Sequence, residues 1–239
     1  MLVKPVAKEN LSAQLYAQLR RALMDGLLSP GERLTIASVA EQFGTSITPV
    51  REAIFRLVSE RALEMRAATS IHVPRLDPGQ LREIQAIRIQ LEGTAAARAA
   101  EVITPEQIGE LEALQAAFIE AARTDPAQAS VLNRDFHFAL LRIADMPILE
   151  GIVENMWVLM GPFLRLFHDR TPKRELSESE HKHHDVLVAL RAHDAEGARR
   201  AIQEDIRWGE NLIRQLEQGA FDEVVTPGKR RTRAASPAG

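Results

Sequence analysis

The sequence predicts a mainly α fold in two parts: an N-terminal winged helix-turn-helix and a C-terminal all-α bundle of six to seven helices. Three observations carry this. "DPGQ" at Asp77, "TPEQ" at Thr104 and "DPAQ" at Asp125 share one helix-start design. Each offers an N-cap side chain, proline at the first helical position and glutamine at N3, which can close a capping box. From residue 76 onward apolar residues recur at helical spacing, with no alternating strand pattern. Before that point, short helical stretches meet at a glycine turn and give way to a β-branched, alternating segment.

Taken in order, Leu11, Leu15, Leu19 and Leu23 form the stripe of a first helix. It stops near "DGLLSPGERL", where Gly26, Pro30 and Gly31 mark a loop. "IASVAEQFG" is a short helix closed by Gly44 at C′. The third helix, "SITPVREAIFRLVSERAL", takes Ser46 as N-cap and tolerates Pro49 in its first turn. "LEMRAATSIHVPRL" then has the character of a two-stranded hairpin. These elements set residues 1–75 as one domain and 76–220 as the bundle, with the boundary at "VPRLDP". In the bundle the stripes are Leu81, Ile84, Ile87 and Leu91; Ile108, Leu111, Leu114 and Phe118; and Leu132, Phe136, Leu140 and Ile143. "MPILEGIVENMWVLMGPFLRLF" is a further apolar helix, expected to bend or break near Gly161-Pro162.

The 239 residues carry a net charge of −3, unevenly spread. Residues 1–75 hold 10 Lys/Arg against 7 Asp/Glu, net +3, and residues 76–225 hold 16 against 26, net −10. The last fourteen hold four basic residues and no acid, so 221–239 reads as a disordered basic tail. A mildly basic front on an acidic body points to a polyanion met by the front alone. The absence of cysteine excludes disulfides and thiolate chemistry, so any metal must use His, carboxylate or amide ligands. No apolar run reaches the roughly 20 residues that span a bilayer, and no signal peptide is visible. A cytoplasmic protein without a membrane partner is expected.

On the third helix Val50, Ala53, Ile54 and Leu57 face inward, which leaves Ile47, Thr48 and Arg51 outward on its first turns. Recognition helices read double-stranded DNA from this end; Arg51 can grip a guanine edge or a phosphate. Ser46 and the free N–H groups at the helix start can hold a phosphate. Arg33, before the second helix, and Arg66 and His72, around the wing, are further phosphate candidates. The alternative for each is a solvated side chain on an ordinary three-helix domain.

"GLLSPGERLTIASVAEQFGTSITPVREAIFRLVSERAL" resembles the N-terminal domain of GntR-type bacterial transcription regulators, with its PGxxL, helix, glycine and S-x-T-P-V-R-E-A. "IRIQLEGTAAARAA", "LNRDFHFALL" and "HDVLVALRAHDAEGARRAIQEDI" resemble the FCD effector domain of the FadR-like branch. The resemblance covers about residues 10–215 and implies a homodimer on a palindromic operator, usually a repressor, answering a small carboxylate metabolite. Many relatives have arginine where this chain has Ala37 and Ile47, which gives Thr48 and Arg51 a larger share of the reading. Arg61 replaces the glycine common before the hairpin, and Thr69-Ser70 an Arg-Gly-type wing tip.

The second site begins at "ESEHKHHDVL", with three histidines in four positions. Helical phase turns His183 inward with Val186, Leu187 and Leu190, places His184 on the flank and His181 toward solvent. Asn133 and His137, four apart, share a face, and Asp205 falls in the stripe of Ala198, Ala201, Ile202 and Leu212. A carboxylate there is costly unless paired or bound to a metal. The FCD resemblance points to the same four positions, with Asp or Asn first and three histidines after, so Asp205 stands in for the last histidine. Two nitrogen and two oxygen ligands suit Zn²⁺ foremost, with Mn²⁺ or Ni²⁺ also accommodated. The alternative is a metal-free cluster in which Asp205 pairs with His183 or an arginine.

An effector carboxylate calls for a cation nearby. Arg88 is the leading candidate, where the family pattern has R-x-x-L-E, and Arg165 the second. Arg88 could instead make an i,i+4 pair with Glu92, worth only about 0.2–0.5 kcal/mol on an exposed face. Two rivals to a regulator remain. His184-Asp185, with His137 and Asp205, imitates the order of HD-type phosphohydrolases, but the phase of that pair and the lack of a Lys/Arg cluster oppose it. An architectural DNA-binding protein with a purely structural bundle is opposed by the bundle's size. The reading is a non-enzymatic regulator.

Overall fold

The computed structural model describes residues 11–67, 70–170 and 181–219. The basic tail and Thr69 of the wing tip lie outside these. Three helices and a small sheet form the N-terminal part: α1 (Leu11–Met24), β1 (Arg33–Leu34), α2 (Ile36–Gln42), α3 (Ile47–Ser59), β2 (Glu64–Ala67) and β3 (Ser70–His72). A short connection leads into α4 (Pro78–Val102), α5 (Pro105–Thr124), α6 (Pro126–Ala144), α7 (Pro147–Arg170), α8 (Lys182–Arg191), α9 (Ala195–Arg207) and α10 (Glu210–Glu217).

The caps explain the starts. Asp77 and Thr104 each accept from the N3 backbone while Gln80 and Gln107 reach back, closing two capping boxes. Asp125 caps through Ala127 and Gln128 N–H without a reciprocal glutamine contact. Thr35 and Ser38 close a further box at α2 that the sequence reading passed over. Between α2 and α3 the chain turns through Gly44 at φ +60°, a left-handed conformation that glycine adopts without a Cβ penalty.

Two expectations are corrected. The wing is a three-stranded antiparallel sheet of order β1-β3-β2, because the two-residue β1 pairs Arg33 with His72 and Leu34 with Ile71. So short a strand leaves no period in the sequence. α7 runs through Pro162 as one helix, so of the expected bend or break there is no break. Proline removes one backbone hydrogen bond, but Trp157, Met160, Phe163 and Phe167 are all within 1 % of full burial on that helix, and their packing carries it across.

The N-terminal core gathers Leu15, Leu19, Leu23, Val50, Ile54, Leu57 and Ile71, and it also takes in Val158 from α7. The bundle core is built on Ala95, Ala96, Ala99, Phe136, Leu140, Val153, Trp157, Leu190 and Ile202. α7 therefore serves both cores. Where it crosses the end of α1 the backbones nearly touch: a Cβ on Gly161 would lie 2.4 Å from Leu23 O. Arg20 Nη2 donates to Asn155 Oδ1 at 2.5 Å across the same seam.

Candidate functional site

In the N-terminal domain, Ser46 caps α3 with extended backbone and no side-chain cap bond, and it is exposed; the first N–H groups of a helix have no intrahelical acceptor. Ile47, Thr48 and Arg51 are exposed beside it. Val50, Ala53, Ile54 and Leu57 are buried, as the helical phase requires. Arg33 and Arg51 are exposed, and no described carboxylate holds either in an ion pair. Arg66 is exposed but bound to Glu64 at 2.6 Å. His72 is half-buried, with Nε2 2.8 Å from Ser70 Oγ and Nδ1 3.4 Å from Gly31 O, so its ring is tied into the sheet.

The second site lies in the bundle, where α6, α8 and α9 converge. His137 and His183 are buried and the Asp205 side chain is 11 % exposed. One ligand atom from each, His137 and His183 nitrogens and an Asp205 carboxylate oxygen, lie within 4.8 Å of one another. Asp205 Oδ2 is 3.1 Å from His137 Nε2 and 3.9 Å from His183 Nε2. Asn133 is half-buried one turn before His137. The far nitrogens are held from behind: His137 Nδ1 is 2.6 Å from Glu92 Oε2, and His183 Nδ1 is 2.8 Å from Gln115 Oε1. Those contacts turn both Nε2 atoms toward Asp205.

Among the described residues His183 Nε2 has no hydrogen-bond partner, although it is buried. Desolvation pushes the His183 imidazole well below its usual pKa, so it is neutral and presents a lone pair. Burial would also lower His137, but the Glu92 carboxylate and then Asp205 raise it. Burial would raise Asp205, yet the imidazoles around it, with the hydrogen bond to His137, lower its carboxyl below the usual range. An ionised carboxylate and an orphaned imidazole nitrogen converging on one point fit a divalent cation.

Two residues that the sequence reading passed over complete the site. Glu92, treated there only as a mate for Arg88, accepts from Arg88 Nε at 2.6 Å and from Trp157 Nε1 at 3.2 Å while holding His137. Gln115 positions His183 from α5. Arg88 does pair with Glu92, but both are 3 % exposed, not solvated. Its guanidinium lies 4.1 Å from the centre of the Trp157 ring and 3.3 Å from Met160 Sδ. Arg165 is engaged at the domain seam, donating to Asp169 at 2.9 Å and abutting Gly26.

His181 corrects the helical-phase argument. α8 begins at Lys182, and His181 is its N-cap, with Nδ1 accepting from His183 N–H at 3.3 Å. Outside the helix it does not follow the helix's phase. It turns inward, against Phe118 at 4.5 Å, with Nε2 4.0 Å from Asp205 Oδ1.

Comparison with known proteins decides the family. Residues 11–73 match the family model for bacterial regulatory proteins of the gntR family, and residues 83–207 match the FCD domain. The HTH-type transcriptional regulator McbR of Escherichia coli K12 is 40% identical over 196 residues, spanning 82% of this chain and 89% of the relative. The chain belongs to the GntR family. A solved structure of E. coli McbR/YncC superimposes on this GntR regulator with a TM-score of 0.81 at 37% identity, covering 90% of this chain and all of that one. The HTH-type transcriptional repressor RspR of E. coli K12 is 28% identical over 215 residues, 90% of this chain and 93% of its own. A putative GntR regulator from Rhodococcus shares the fold, with a TM-score of 0.67.

These relatives are transcription regulators, not enzymes, and the phosphohydrolase reading falls with them. The geometry agrees: Asp185 is exposed and paired with Lys182 at 3.0 Å, away from the inward face. Among the described residues, no helix of this GntR protein is long and apolar enough to cross a membrane.

Proposed function

We propose that this GntR regulator is a metabolite-responsive repressor that binds a palindromic operator as a homodimer and senses a small carboxylate at a metal in its FCD domain. Residues 1–75 are the reading head and 76–220 the sensing and dimerising module. The observation that carries the sensing half is His183 Nε2, without a hydrogen-bond partner among the described residues, facing Asp205 and His137, both rings braced from behind. Asn133, His137, His183 and Asp205 would hold the ion; Zn²⁺ suits two imidazoles and two oxygens best, and Mn²⁺ or Ni²⁺ fit the same donors. When bound, the ion supplies a Lewis-acid centre for an effector oxygen. Arg88 is the cation assigned to the effector, with Arg165 second.

For DNA, Arg51 and Thr48 would read bases, while Ser46, Arg33, Arg66 and His72 would meet phosphates. Dimerisation draws support from Ile148 and Ile152, exposed by 84% and 44% on one face of α7. A second copy would cover that apolar surface and set two heads on half-sites about 10 bp or a related spacing apart. The name of RspR supports repression. Effector binding shifts operator affinity only by its differential affinity for two bundle states.

The test uses untagged full-length protein. Metal analysis is expected to give close to one equivalent, falling in Asp205→Ala. Fluorescence anisotropy with DNA flanking its own gene is expected to give salt-sensitive, sequence-preferring binding in the range of about 10⁻⁸–10⁻¹¹ M, relieved by a member of a carboxylate panel. Sub-stoichiometric metal, unchanged by the substitution, sinks the sensing half. Binding indistinguishable from random DNA sinks the operator half.

A further inference from the structure

The ligand-bearing helix α6 is linked to the reading head by a charge contact outside the site described so far. Arg134 directly follows Asn133 and stands one turn before His137, and it is 3 % exposed. Its Nη1 forms an ion pair with Asp25 Oδ1 at the end of α1 that lacks hydrogen-bond geometry, while its Nη2 donates to Asp135 of its own helix at 2.7 Å. The other Asp25 oxygen accepts from Arg21 at 3.0 Å. Gly26 follows at φ +64°, and a Cβ there would lie 2.2 Å from Arg165 Cβ. The end of α1 is therefore fixed against α7, while one of its carboxylate oxygens is committed to α6.

We propose that the Asp25–Arg134 ion pair is the contact through which α6 reports the state of the His137–His183–Asp205 site to the reading head. The inference builds on the sensing reading above. A buried guanidinium with one partner cannot release it without leaving a charge uncompensated. Among the described residues Arg134 has two carboxylate partners, Asp25 and Asp135, and Asp135 moves with it. The Asp25 half can thus be made or broken by a small rotation of α6 while the charge stays paired. The same rotation is what a cation pulling on His137 would impose, because His137 lies three residues further along the same rigid helix. Coupling of this kind needs a contact that both sites can bias, and this pair joins the helix of His137 to the end of α1.

The experiment is hydrogen exchange on the full-length chain, comparing peptides from residues 16–28 with peptides from α6 and α8. Two perturbations of α6 are applied: Zn²⁺ added to chelator-stripped protein, and the substitution His137→Gln. Each is run in wild type, Asp25→Asn and Arg134→Lys. Asp25→Asn keeps size and hydrogen bonding, and its folding is checked by thermal melt; Arg134→Lys keeps the charge should the asparagine variant fold poorly. In wild type, exchange at residues 16–28 is expected to change together with α6. In the variants the α6 and α8 response is kept and the 16–28 response is lost. A 16–28 response that persists in both variants, or is absent from wild type under both perturbations, overturns the proposal. Failure of the metal reading looks different: Zn²⁺ has no effect anywhere, while His137→Gln still moves residues 16–28 in wild type only.

Discussion

Glu92 Oε2 lies 2.6 Å from His137 Nδ1, and the other oxygen of the same carboxylate accepts from Arg88 at 2.6 Å and Trp157 at 3.2 Å. One buried side chain therefore aims a histidine of the proposed metal site and neutralises a buried guanidinium. Burial alone would raise its pKa; Arg88 and then His137 hold it at about 2. Glu92→Gln keeps the shape but removes the charge, leaving Arg88 uncompensated at a cost of about 3–5 kcal/mol. Loss of the brace behind His137 should weaken Zn²⁺ binding by roughly 10–100-fold. Denaturant melts and a zinc titration read the two effects separately. A variant with an unchanged midpoint would show that Glu92 is not the hub.

The chain has one tyrosine, so tyrosinate absorbance reports Tyr16 alone. Its hydroxyl donates to Glu60 Oε2 at 2.6 Å, tying α1 to the end of α3. Desolvation first and the Glu60 hydrogen bond second raise its pKa above the ordinary 10.0. A raised folded pKa means stability that is fully present below the unfolded value and lost as pH rises through the folded one. Spectrophotometric titration is expected to show Tyr16 ionising later than free tyrosine, together with alkaline loss of stability. Glu60→Gln should move the titration back toward 10; an unmoved curve assigns the whole shift to burial.

Much of the fold was legible because its signals are local. Proline-and-cap starts, apolar stripes and the Gly44 turn each follow from a few consecutive residues, and the same phase argument aimed His137, His183 and Asp205 inward. Contacts made only by packing left no such signal. Glu92 and His137 are 45 positions apart, and Gln115 and His183 are 68 apart. Neither pairing has a period to read. His181 was misplaced for a related reason: helical phase was extended one residue past the helix start. The Arg88–Glu92 pair enters the sequence reading only as the alternative to an effector role, on an exposed face; its burial leaves no signal, since an i,i+4 pair looks the same in sequence whichever way it faces.

Gly161 allows α7 to meet the end of α1, and the neighbour is backbone, not a flexible side chain. Gly161→Ala would set a methyl 2.4 Å from Leu23 O and 2.6 Å from Met24 O, so one helix must move. Alanine favours helix by about 1 kcal/mol over glycine, which argues for stabilisation at an unhindered site. Overpacking costs about 1–3 kcal/mol, and here the steric effect wins. The expected result is a lowered melting temperature and faster proteolysis at the seam between reading head and bundle. A stabilised variant would show that the seam has slack.

On the proposed operator contacts, substitutions at Arg51 and Arg66 are expected to separate base reading from phosphate attraction. Arg51 is exposed on the first turns of α3, with no described carboxylate paired to it, so Arg51→Ala should leave the melting temperature unchanged. Its loss should cost about 1–3 kcal/mol of operator binding and relax preference at one base pair. Arg66 is bound to Glu64 and exposed, so Arg66→Ala should weaken all DNA alike and reduce the salt dependence by about one phosphate contact. Anisotropy titrations at two salt concentrations, on operator and scrambled duplexes, distinguish the two patterns. If Arg51→Ala weakens both duplexes equally, the base-reading role passes to Thr48, the exposed polar neighbour on the same turn.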